Sequence, residues 1–175
     1  MAVGDAQKFE LFVNGTLMRD LPLHANLAGA TFIGEAMTAP RYRLYSIDDR
    51  HPGMFEVAQG GVAVRGELYR ISAAIWKVVA SREPAGLYRG RVQLADGREV
   101  EGILFPRELA EVHHRDISEF GGWRAYIAHR SAAKTSETLP RHNRHPSVTP
   151  GGWTSRDPDV CSGHSGRSGQ ADAEG

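Results

Sequence analysis

Apolar residues in this chain fall in short runs broken by turn-forming residues, and then give way to a long polar stretch. Phe9 to Val13 is apolar on both faces, which predicts a central strand. It stops at Asn14-Gly15-Thr16, where Asn and Gly tolerate positive φ, so the chain turns there. Asn14 to Leu23 reads as turn and loop. A short helix over Leu23–Leu27 follows Pro22 and ends at Gly29. Ala30 to Thr38 reads as a strand, with Gly34 marking a bulge or a close backbone approach. Tyr42 to Ile47 alternates and predicts a strand, Asp48 to Gly53 a polar loop, and Met54 to Val57 a short strand. Val62 to Ile71 is a longer strand: Val62, Val64, Gly66 and Leu68 alternate with Ala63, Arg65, Glu67 and Tyr69.

Ser72 is placed to N-cap a helix over Ala73–Ala80, whose stripe is Ile75, Trp76, Val78 and Val79. Leu87–Leu94 and Glu99–Phe105 flank Asp96-Gly97, a hairpin signature. Pro106 to Val112 forms a helical turn or more. Ser118 to His129 carries a stripe of Phe120, Trp123, Tyr126 and Ile127 that predicts a closing helix. The class is α+β. Met1 to Lys8 is expected to fray. From Ser131 onward Ser, Thr, Pro, Gly, His and Asn dominate, too little apolar surface to offset ordering entropy, so residues 131–175 are expected to be disordered.

A length of 175 residues suits one domain plus this tail. The formal net charge of zero gives nothing to steer a polyanion. In the tail, Lys134, Arg141, Arg144, Arg156 and Arg167 are balanced by Glu137, Asp157, Asp159, Asp172 and Glu174, so no nucleic-acid arm is expected. The single cysteine, Cys161, excludes a disulfide framework and lacks a positioned base. No apolar run approaches the roughly 20 residues of a membrane span, and no signal peptide opens the chain, so a cytoplasmic protein is expected. Gly-x-Ser-x-Gly and phosphate-binding Gly-x-x-x-x-Gly-Lys are absent.

The remaining chemistry centres on the first turn. Its amides lie beyond the end of a strand ladder and need an acceptor, a role suited to a small anion or carboxylate. Glu83 precedes Pro84, which pushes it out of the helix, and a carboxylate at a cavity edge serves as acid or base. His51, beside Asp48 and Asp49, and His24, shortly after the turn, are alternative proton carriers. His113-His114 with Asp116 lacks metal-ligand spacing, so neither metal nor cofactor is expected.

Three landmarks resemble the gamma-glutamylcyclotransferase-like superfamily over roughly Phe9 to Val92. They are Leu11-Phe12-Val13-Asn14-Gly15-Thr16-Leu17, Val64-Arg65-Gly66-Glu67-Leu68-Tyr69, and Glu83 followed by Tyr88-Arg89. The resemblance implies a small mixed β-barrel with flanking helices, an anion on the first turn and an acid/base at Glu83. Asn14 departs from that superfamily's Tyr-Gly-Thr or Tyr-Gly-Ser, which counts against gamma-glutamyl cyclisation.

A closer resemblance, from about Leu11 to Ile127, is to the C-terminal domain of allophanate hydrolase. It rests on Phe12 to Arg19, Ala39 to Leu44, Asp49-Arg50-His51-Pro52-Gly53-Met54 and Glu119-Phe120-Gly121-Gly122-Trp123-Arg124-Ala125-Tyr126. It implies a part in urea breakdown: decarboxylation of the amidase product N-carboxycarbamate, with a histidine involved and a separate amidase as partner. The catalytic candidates are Glu83, His24 and His51. The candidate binding residues are Asn14, Gly15, Thr16, Leu17, Arg50 and Tyr88. The alternatives are a cyclotransferase releasing 5-oxoproline and a non-catalytic module that binds a metabolite or an amidase.

Overall fold

The structure is a computed structural model and describes residues 7–138. The expectations for Met1 to Ala6, for Cys161 and for the tail beyond residue 138 lie outside the described residues. β1 (Lys8–Val13) is central, antiparallel to β5 (Arg65–Ser72) on one side and parallel to β7 (Glu99–Leu104) on the other. With β2 (Thr31–Met37) and β6 (Tyr88–Gln93) they form a mixed sheet in the order β2-β5-β1-β7-β6. Bordered on both sides, β1 buries Leu11, Phe12 and Val13 almost completely, as its continuous apolar run requires.

A second sheet has the order β4-β3-β8, from β3 (Tyr42–Ile47), β4 (His51–Glu56) and the short β8 (Arg115–Asp116). Isolated bridges pair Thr38 with Leu94, just past the ends of β2 and β6, and Tyr42 of β3 with Val62, and Phe105 N donates to Met54 O at 2.8 Å. The expected mixed barrel is thus realised as two sheets stitched where β4 meets the end of β7. α1 (Ala73–Arg82) is N-capped by Ser72, whose Oγ accepts from Ile75 N. It ends at Glu83, extended at φ −67° and ψ 144° before Pro84. α2 (Arg107–His113), a 3-10 turn at Ser118–Phe120 and α3 (Trp123–Thr138) complete the described chain.

Four local expectations are corrected. His51-Pro52-Gly53 is strand, not loop, because Asp48 (φ 51°) and Asp49 (φ 56°) adopt the left-handed region and reverse the chain tightly, allowing Ile47 to pair with His51. Pro52 is tolerated there because β4 is an edge strand. Val62 to Val64 precede the β5 ladder. The single helix expected from Ser118 is divided by Gly121, at φ 63°. α3 runs eight residues past the expected boundary at Arg130, to Thr138, where Ala132, Ala133 and Lys134 favour helix; Ser131 and Thr135 hydroxyls donate to carbonyls one turn back. At Gly34 the two readings separate: the β2–β5 register shifts between Phe32 and Gly34, and no atom lies within 4 Å of a Cβ there, so it marks a bulge. Among the described residues no helix is long and apolar enough to cross a membrane.

Candidate functional site

Where β1 ends, the chain folds into a compact turn. Met18 N donates to Gly15 O (3.0 Å), and Leu23 N to Thr16 O (2.9 Å). The His24 ring lies against the same turn, Nδ1 at 3.0 Å from Leu17 O. Among the described residues the amides of Gly15, Thr16 and Leu17 donate to no protein acceptor. Asn14 is buried, and its Nδ2 meets only Met54 Sδ, at 3.3 Å, a weak acceptor. A Cβ on Gly15 would stand 2.7 Å from Cδ and Cγ of Pro52, so glycine lets the turn lie directly on β4.

Turn, β4 and the end of α1 enclose a cavity of about 20 Å³. Asn14 to Leu17 form one wall, His51 and Pro52 a second, and Glu83 with Leu87 and Ile103 the remainder. The space suits one water-sized group. Thr16, Glu83 and Leu87 are half-exposed at its rim, so a longer ligand would place only its head inside.

Glu83 dominates the chemistry of this cavity. Its Oε1 is buried and, among the described residues, has no hydrogen-bond partner. Burial alone pushes its carboxyl up to about 7, so protonated and ionised forms coexist near neutrality. His51 is buried, its Nδ1 at 3.1 Å from Pro52 O and its ring edge-on to Phe105; burial holds its pKa below the usual histidine range. Two groups of one cavity are therefore shifted toward their neutral forms, an arrangement suited to proton transfer.

The cavity gathers six of the sequence candidates: Asn14, Gly15, Thr16, Leu17, His51 and Glu83. His24 touches the turn without lining the cavity, while Arg50 and Tyr88 are exposed and stand apart from its lining. Val13, Pro52, Leu87 and Ile103 also line the cavity and are not among the sequence candidates. Pro52 was detectable as the neighbour of His51, whereas Leu87 and Ile103 read as ordinary strand positions. Among the described residues no cluster of three or more His, Cys, Asp or Glu is arranged around a metal position.

A larger groove, about 790 Å³, is lined by Met18, Arg65, Glu67, Trp123 and Arg124, among others. Its buried carboxylate, Glu67, accepts from Arg19 N (2.9 Å), Arg19 Nε (3.1 Å), Tyr69 Oη (2.8 Å) and Arg124 Nη2 (3.0 Å). Burial raises its pKa, but these donors outweigh it and the net displacement is downward. The Tyr69 hydroxyl is correspondingly held protonated, by burial and by its bond to Glu67.

Comparison with known proteins places these features in context. The allophanate hydrolase C-terminal domain matches residues 9–128. Urea amidolyase of Lachancea kluyveri is 27% identical over 126 residues, 67% of this chain but 7% of that protein, so the chain spans a small fraction of its relative. The crystal structure of c4763, a uropathogenic E. coli-specific protein, is 46% identical with a TM-score of 0.67, covering 70% of this chain and 98% of that one. Kluyveromyces lactis allophanate hydrolase is 27% identical with a TM-score of 0.65, over 71% of this chain and 22% of that one.

Proposed function

Because the chain belongs to the allophanate hydrolase C-terminal domain family, we propose that it acts on a carboxylated urea or carbamate-type metabolite beside a separate amidase. The reaction is decarboxylation of N-carboxycarbamate. The observation that carries this reading is the Glu83 carboxyl, whose buried Oε1 has no hydrogen-bond partner among the described residues, in one cavity with the unpaired turn amides. One carboxylate of the substrate sits on the amides of Gly15, Thr16 and Leu17. The C–N bond to the other carboxylate breaks and releases CO2. The bond's electron pair stays on nitrogen, which takes the proton from Glu83. Carbamate leaves, and the ionised Glu83 is reprotonated from water. Buried His51 keeps the wall beside the reacting group neutral, so that it does not pair with Glu83 and hold it ionised.

The test couples this protein to an amidase that hydrolyses allophanate and follows CO2 release. The expected result is faster release with the wild-type chain than with amidase alone, and a roughly 100- to 10,000-fold loss of that acceleration in Glu83→Gln, the range for losing a general acid. Full acceleration by Glu83→Gln would reject Glu83 as the proton donor. No acceleration by wild type would reject the reaction.

A further inference from the structure

Among the described residues no lysine or arginine lines the turn cavity. Three amides offer an anion partial positive charge, but they do not neutralise a whole negative charge, and an ionised Glu83 in the same small space repels it. Given the anion-binding reading of the cavity above, we infer that a carboxylate ligand enters only together with a proton. That proton resides on Glu83, which becomes a hydrogen-bond donor to the bound anion. The unpartnered Oε1 is the atom this arrangement satisfies: as a carboxylic acid it has a donor to give, and the anion is its acceptor. A carboxyl already raised to about 7 by burial is readily driven to its neutral form by a second negative charge.

The surrounding elements supply no competing proton site. From β4 comes His51, whose pKa is lowered by burial, so it stays neutral above neutrality. From α1 comes Arg82, whose Nη1 is engaged with Asn26 Oδ1 at 3.0 Å. His24, on a short 3-10 helix over His24–Leu27, faces the Leu17 carbonyl. The turn residues of the cavity wall, Asn14 to Leu17, and Pro84 to Leu87 and Ile103 bring no titratable side chain. The sign of the pH dependence identifies the ligand class. A carboxylate binds more tightly as pH falls, whereas an amine would prefer ionised Glu83 and bind more tightly as pH rises.

The probe is malonate, which replaces the nitrogen of the iminodicarboxylate by carbon and has no C–N bond to lose. Titration calorimetry of the full chain in buffers of different ionisation enthalpy should show uptake approaching one proton per malonate at about pH 8.5. The Kd should rise about 50-fold between about pH 7 and about pH 9. Glu83→Gln should bind malonate with no proton uptake and a flat pH profile, and more tightly than wild type at about pH 9. Wild-type binding without uptake, or with proton release, overturns the inference while leaving the decarboxylation reading intact. Failure to bind malonate at any pH overturns both. Proton-linked binding without faster CO2 release in the coupled assay rejects the reaction alone.

Discussion

Glu67 is buried and Glu83 half-buried, and their surroundings treat the two carboxylates in opposite ways. Glu67, within β5, has its side chain 3% exposed and receives four hydrogen bonds, two from guanidinium groups. It ties the segment after the first turn to α3 through Arg19 and Arg124. Glu83 closes α1 beside a cavity where, among the described residues, its Oε1 has no partner and no lysine or arginine joins the lining. One carboxylate is kept ionised and joins elements together; the other is kept near its protonation midpoint, with its hydrogen-bonding capacity unspent. Burial alone does not mark a functional acid. The supply of donors around it makes the difference.

The largest expected effect comes from making the same change at both positions. Glu83→Gln should remove nearly all turnover in the coupled assay, by about 100- to 10,000-fold, while the protein stays folded. Glu67→Gln should do the reverse. Losing its charge leaves Arg19 and Arg124 without their shared acceptor and costs about 2–3 kcal/mol in urea unfolding. That lies below the cost of opening a fully buried pair because the arginine side chains are 43% and 44% exposed. A Glu83→Gln protein that unfolds more easily, or a Glu67→Gln protein as stable as wild type, would break the comparison.

The pH dependence of stability should separate the two carboxylates by about 2 kcal/mol. Glu83 has a raised folded pKa, so the folded chain holds a proton that the unfolded chain has lost between about pH 4.5 and about 7. Its contribution is full below that window and disappears as pH rises through it; partial exposure holds the loss to about 2 kcal/mol. Glu67 has a lowered folded pKa. Its contribution is present above the usual carboxylate range and is lost as pH falls through the folded value. Wild type should therefore lose stability toward acid through Glu67, and between acid and neutral pH through Glu83. Subtracting the Glu83→Gln profile from wild type isolates the second arm. A flat difference would show that Glu83 is not desolvated.

This contrast was only half visible in the sequence. The turn at Asn14-Gly15-Thr16 follows from local chemistry, and the glutamate before Pro84 follows from the helix-ending effect of proline, so both were legible. β1, β3, α1 and the β6–β7 hairpin also follow from period and turn residues. The polar run Asp48 to Gly53 reads as loop in sequence because two consecutive aspartates at positive φ are exceptional, and the tight reversal they allow lies in tertiary structure. Glu67 gave no local signal. It sits in an alternating strand, and its partners Arg19 and Arg124 lie 48 and 57 residues away in the chain. Whether a buried carboxylate is saturated or free is decided by such distant pairings.

The smallest expected effect probes how rigidly the turn is held against β4. A Cβ at position 15 meets the Pro52 ring at 2.7 Å, closer than real Cβ contacts allow, and a ring within a paired strand yields little. Gly15→Ala should cost about 1–2 kcal/mol in urea unfolding, the range for overpacking, and should weaken malonate binding as the amides move off His51 and Glu83. Pro52→Ala removes the two atoms that collide. The double variant Gly15→Ala/Pro52→Ala should be about 1 kcal/mol more stable than the sum of the single changes implies, because the new methyl then occupies vacated space. Malonate affinity should recover in parallel, since the turn returns to its place. Additive losses would mean that turn and strand are not in direct contact, and the cavity would then lack the wall that sets the Glu83 environment apart from that of Glu67.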